Sequence, residues 1–176
     1  IYKLITPEFA ALNARGWSNT YGAEATYPII RSRLRNLYFS ANIDQRTYEN
    51  ELLEITSSQY SAKTLTLGLN GNAFDKLAGG GATSAALALV SGSLNLDGSP
   101  NQAADANTTR TAGNFQKIRY SVSRQQTLSD RLVGFAGLSG QWAGKNLDSS
   151  EKFYLGGASG VRAYPTGEGG GTLGNL

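Results

Sequence analysis

Along most of the chain, apolar and polar residues alternate one by one, and a period of two admits little besides β-strand. Leu65, Leu67 and Leu69 interleave with Thr64, Thr66, Gly68 and Asn70. Leu37, Phe39, Ala41 and Ile43 interleave with Tyr38, Ser40, Asn42 and Asp44. Ile118, Tyr120 and Val122 stand against Lys117, Arg119, Ser121 and Ser123. Leu132, Gly134, Ala136, Leu138 and Trp142 share a face opposite Val133, Phe135, Gly137, Ser139 and Gln141. Ser84 to Val90 has some helical propensity, but it is short and lies between Gly-rich segments, so it reads as strand. In water the apolar face of such strands packs on a core. In a membrane barrel it meets lipid, and the polar face lines the lumen. Alternation alone does not separate the two cases.

Connection lengths separate them better. The pattern places strands at about 16–30, 35–44, 59–70, 84–96, 113–124 and 131–143, with a seventh starting beyond a long final loop. Arg31 to Leu34 and Gln125 to Asp130 are short, and Asn70 to Thr83 is intermediate, part of it extending the strands. Asp44 to Gln59, Asp97 to Ala112 and the stretch from Gly144 onward read as long polar loops. Short and long connections therefore alternate, as they do when short turns face the periplasm and long loops face outward. Strands of this length also exceed the usual soluble strand of about 5–6 residues. Seven strands do not close an even-numbered barrel, and an open edge in lipid is costly. The expectation is therefore a fragment of a larger barrel, forming one partial barrel domain over 1–176.

Composition narrows the chemistry. The chain has no Cys, no His and no Met. Disulfides and thiol nucleophiles are excluded, imidazole acid–base chemistry is absent, and zinc, copper or haem sites are not expected. The net charge of +3 is small and the basic residues are scattered, so nucleic acid is not an expected partner. Arg31, Arg33 and Arg35 cluster, either as a solvated turn or against lipid head groups. Gly (22) and Tyr (9) are abundant and Pro (4) is scarce, which suits strands with tight bends and interfacial aromatics. No apolar run is long enough for a membrane helix. No signal peptide opens the chain, so Ile1 is expected to be internal to a longer protein.

The segment Leu147 to Gly170 carries the most specific pattern. It contains Phe153-Tyr154-Leu155-Gly156-Gly157, then Gly160-Val161-Arg162-Ala163-Tyr164, then Pro165-Thr166-Gly167-Glu168. Here the chain resembles the outer-membrane transporters of two-partner secretion, the haemolysin secretion/activation family. Their superfamily bears a V-R-G-[FY] signature at the tip of a long loop folded back into the barrel. The flanks match the two-partner type, as do Ser139-Gly140-Gln141 before the loop and Tyr27 to Arg33 near an early strand end. The signature Gly is Ala163 here, and if that position takes a positive φ the alanine costs about 1 kcal/mol. The stretch from Gly169 to Leu176 also departs from the acidic continuation of the family.

The resemblance implies a barrel of about sixteen strands preceded by POTRA domains, neither complete in this chain. It implies a Gram-negative outer membrane with lipid and lipopolysaccharide around the barrel. It implies export of a large β-helical exoprotein, a haemolysin, adhesin or contact-dependent toxin. Arg162 would fork onto an acidic wall partner outside this chain, with Val161, Ala163 and Tyr164 completing the lumen anchor. Phe153, Gly156, Gly157, Gly160, Pro165, Gly167 and Glu168 would support the loop hairpin over about 144–176. No catalytic residue, cofactor or metal is expected. The alternatives are a barrel-assembly factor of the same superfamily, a passive porin, or a soluble β-sandwich binding module.

Other groupings carry less. Gly79 to Gly81 and Gly169 to Gly171 lack the Lys-Ser/Thr of a phosphate loop. Asp44, Glu49, Glu51 and Glu54 lack the spacing of a calcium loop and read as solvated. Asp148, Glu151 and Glu168 are not held at the separation of a glycosidase pair. Asn107-Thr108-Thr109 matches a sequon of no consequence in a bacterial barrel. Tyr21, Tyr27, Tyr38, Tyr60 and Trp142 are candidates for interfacial girdles.

Overall fold

The computed structural model describes residues 12–154 together with the short strand at 2–3. It is all-β and antiparallel. The strands are β1 (Tyr2–Lys3), β2 (Arg15–Arg31), β3 (Arg35–Leu52), β4 (Ile55–Asp75), β5 (Gly81–Asn95), β6 (Gly113–Ser129) and β7 (Leu132–Ala143). They form one sheet in the order β1-β2-β3-β4-β5-β6-β7. Each strand pairs with its neighbours in sequence, the up-and-down meander of a barrel wall. The six long strands run from 12 to 21 residues, more than a membrane crossing of about 9–11 residues needs. No helix among the described residues is long and apolar enough to cross a membrane. The segment 84–90 lies within β5, so its helical propensity gives way to pairing on both edges.

Register assembles the alternating residues into two continuous faces. Ala41, Leu67, Leu89, Ile118 and Trp142 pair across one row, and Phe39, Leu69, Leu87 and Tyr120 across the next. Most of these side chains are exposed, from 36 % of the surface at Phe39 to 60 % at Trp142, and Ala41 and Ile118 are half-buried. On the other face Ser40, Gly68, Ala88, Arg119 and Gln141 align in one row, and Asn42, Thr66, Val90, Lys117 and Ala143 in the next. The exposed apolar band and the small or polar opposite face are what a lipid-facing wall requires.

One expected loop is strand instead. Asp44 to Gln59 does not leave the sheet. β3 continues to Leu52, β4 starts at Ile55, and Leu53-Glu54 form a two-residue turn. The apolar band ends in register where Ile43 pairs with Leu65, and the next pair on that face is Gln45 with Lys63. Beyond that row the outer face is polar and the other mixes Arg46 and Asn50 with Tyr48, so the alternation that marks strands elsewhere disappears and the composition mimics a loop. The turn carries no Gly or Asn, yet Leu53 and Glu54 have φ of 52° and 65°, as a type I′ turn requires. The other connections follow the expected sides. Residues 32–34, 76–80 and 130–131 are short, while 96–112 is long and contains a helix, α1 (Gln102–Asn107), which the polar composition did not announce.

The buried apolar residues gather on the polar face, at the end of the sheet where the long connections lie. Val90, Phe115, Ala143 and Leu147 form one cluster. Ala62, Leu94 and Leu96 form another, with Tyr48 and Tyr60 packed against it. The core of this chain is therefore the space between loops and wall.

Candidate functional site

The connection after β7 turns back onto the polar face and is fastened there residue by residue. Gly144 donates its N–H to the Gln116 carbonyl at 3.2 Å. Lys145 Nζ donates to the Ala112 carbonyl at 2.7 Å and Asn146 Nδ2 to the Thr109 carbonyl at 2.7 Å, tying this loop to the 96–112 loop. Leu147 is 2 % exposed and fills the pocket of Val90, Phe115 and Ala143. Asp148 caps a single 3-10 turn, Ser149–Glu151, by accepting from the N–H and the hydroxyl of Ser150 at 2.9 and 2.6 Å. The same carboxylate oxygen accepts from the Tyr60 hydroxyl at 3.3 Å.

Among the described residues of this loop, Glu151 is the most heavily bound. Its side chain is 5 % exposed. Arg46 Nη1 on β3 lies 2.7 Å from Oε1, and Lys117 Nζ on β6 lies 2.7 Å from Oε2. Lys117 Nζ also donates to the Glu151 carbonyl at 2.6 Å, as does Gln141 Nε2 on β7 at 3.3 Å. Arg46 Nη2 holds Asp44 at 3.2 Å. The loop therefore meets the wall through a buried carboxylate shared by two cations, with both oxygens and the carbonyl satisfied, the condition under which buried charge is tolerated.

The 96–112 loop has its own fixed point. Asp105 of α1 accepts from the Thr109 hydroxyl, from the Thr111 hydroxyl and N–H, and from the Ala112 N–H at 2.7 to 3.1 Å. Burial pushes its carboxyl upward, but the hydrogen bonds from Thr111, Thr109 and Ala112 outweigh that and hold it at about 2. The loop also covers the β4 start, where the Gln59 N–H donates to Ser99 Oγ at 2.9 Å.

Phe153 is half-buried at the end of the described residues. Gly156, Gly157, Gly160, Val161, Arg162, Ala163, Tyr164, Pro165, Gly167 and Glu168 lie outside the described residues. Of the acidic residues weighed as a cation site, Asp44 is engaged with Arg46 and Glu51 with Arg15. Two of the proposed girdle tyrosines are misplaced. Tyr38 shares the polar face with Asn70, and Tyr60 stacks on Tyr48 at 4.8 Å beneath the loop, whereas Tyr21, Tyr27 and Trp142 are exposed on the apolar side. Sequence reasoning did not find Arg46, Lys117, Leu147 or the role of Glu151. One signal was present: a lysine and an arginine in otherwise small polar positions of strand faces require a counter-charge.

Residues 2–174 match the model of the haemolysin secretion/activation protein family ShlB/FhaC/HecB. The chain is 28 % identical over 160 residues to the heme/hemopexin transporter protein HuxB of Haemophilus influenzae strain 86-028NP. The same identity and length hold for HuxB of Haemophilus influenzae strain ATCC 51907 / DSM 11121 / KW20 / Rd. In both cases the match covers 90 % of this chain and 28 % of the relative, so the chain spans little more than a quarter of their length. No solved structure matches. With the family model covering nearly all of its length, this chain belongs to the ShlB/FhaC/HecB haemolysin secretion/activation family.

Proposed function

We propose that this chain is wall and inward loop of an outer-membrane translocator that passes one large secreted partner protein through its lumen by two-partner secretion. The observation that carries the reading is the loop after β7, which turns back onto the polar face of a sheet whose other face is a continuous apolar band. A passive porin does not require that signature loop, and family membership favours transport over barrel assembly. The wall offers a sliding chain small and polar side chains, among them Ser40, Thr66, Gly68, Asn70, Ala86, Ala88 and Ser121. With no nucleotide in the periplasm, folding of the partner outside supplies the drive. The partner is a β-helical haemolysin, adhesin or toxin; since the relatives are named for heme and hemopexin, a haem-acquisition partner is the narrower form of this reading.

The test compares proteins of the culture medium with and without the full-length gene by mass spectrometry. Loss of one very large protein, with outer-membrane proteins unchanged, supports the reading. Depletion of many outer-membrane proteins moves it to barrel assembly, and an unchanged medium excludes secretion. Arg162 belongs to the same proposal. Arg162→Ala should lower the amount of secreted partner at equal transporter level, and secretion at the wild-type rate would remove Arg162 from the mechanism.

A further inference from the structure

The loop root from Leu147 to Glu151 touches every strand from β3 to β7. Glu151 takes Arg46 of β3, Lys117 of β6 and Gln141 of β7. Asp148 takes Tyr60 of β4, and Leu147 takes Val90 of β5 with Phe115 of β6 and Ala143 of β7. β3 and β6 are not neighbours, since β4 and β5 lie between them. One carboxylate therefore bridges the wall crosswise, independently of the backbone ladder. Its two cations leave no slack. The Lys117 side chain is 4 % exposed and has Arg119 as a like-charged neighbour on its own face, so it needs an anion. Asp44, the other carboxylate near Arg46, already pairs with that arginine's second nitrogen.

We propose that Glu151, Lys117 and Arg46 are positioning residues for translocation: a three-charge staple that seats the loop root, Leu147 to Glu151, across the polar face of the wall. The proposal rests on the translocator reading and adds a second attachment, at the root, to the tip anchor expected at Arg162. Cutting the staple frees the root, uncovers the wall beneath Leu147 and changes the open cross-section of the barrel.

The experiment uses the full-length transporter carrying E151Q, K117E, the reciprocal exchange E151K/K117E, and the neutral pair E151Q/K117M. Secretion into the medium is measured beside single-channel conductance in planar lipid bilayers, and heat-modifiable electrophoretic mobility reports folding. E151Q and K117E should cut secretion by about tenfold or more and shift conductance. The reciprocal exchange should recover part of both, only part because Arg46 then faces a cation. E151Q/K117M leaves no unpaired buried charge, so it should fold with wild-type mobility and still show the altered conductance. Wild-type secretion and conductance in folded E151Q/K117M would overturn the staple. So would loss of secretion in every variant with unchanged conductance and no recovery on exchange, since that describes a merely structural pair. If the wild-type gene itself releases no partner protein, the translocator reading fails instead, and that result is distinct from both.

Discussion

At Gly92 a missing side chain decides where a loop sits. Gly92 pairs with Phe115 across β5 and β6, and a Cβ there would come within 2.4 Å of the Phe115 ring and 3.0 Å of the Lys63 carbonyl. The ring lies over the glycine and packs on Leu147, so space at one residue allows the loop root to seat against the wall. Gly92→Ala should push Phe115 into Leu147 and cost about 1–3 kcal/mol by overpacking, with greater protease cleavage after Gly144 as the readout. Asp105 sets a second residue-scale property. Its carboxyl is held at about 2 against an ordinary 3.8, so it adds stability that is complete above about pH 4 and is lost as pH falls through 2. Pepsin cleavage within 96–112 should therefore rise as pH drops from 4 to 2, and Asp105→Asn should flatten that dependence. Equal slopes in both proteins would remove Asp105 from the loop's acid response.

The β3–β4 hairpin shows how an element can hide in a sequence. Its strands of 18 and 21 residues pass beyond the exposed apolar band and stay paired where one face is polar and the other lies under loops. Tyr48 and Tyr60 stack at 4.8 Å there, one of the cross-strand pairs that hold this extension together. The turn places Leu and Glu where left-handed backbone favours Asn and Gly, at about 1 kcal/mol or more per residue. Leu53→Asn with Glu54→Gly should stabilise the hairpin by about 1–2 kcal/mol, seen as slower hydrogen exchange of the amides between 45 and 62. Unchanged exchange would mean that the strain is relieved elsewhere. The extension was illegible for a physical reason: period two marks a strand where apolar and polar side chains alternate, and here the apolar band has ended while the opposite side, with Arg46, Tyr48 and Tyr60, is covered by loops that the local sequence does not reveal.

Across the whole sheet, the two faces obey different rules. Leu67 sits mid-band between Ala41 and Leu89, with its side chain partly exposed on the apolar face. Leu67→Arg should destabilise the full-length barrel by about 2–4 kcal/mol, read from its urea unfolding in lipid vesicles. Ser121, facing the other way in β6, should accept Asn with little change. Equal effects at the two sites would contradict the assignment of the faces. The same asymmetry locates the core, because wall strands that give one face to lipid bury apolar groups only where loops fold over the other.

The sequence by itself determined the strands within the band, the identity of each face and the family, since alternation and a contiguous loop pattern are local properties read along the chain. It also marked the long connection at 96–112. Only the tertiary structure decided that 44–59 remains paired, that Tyr60 lies under a loop rather than at a lipid boundary, and that Glu151 is bound from β3 and β6. Arg46 and Glu151 are 105 residues apart, and nothing in either neighbourhood names the other. Each buried charge shows that it needs a partner, but the strand order and register choose which one it finds, because electrostatic pairing acts through space and sequence patterning acts along the chain.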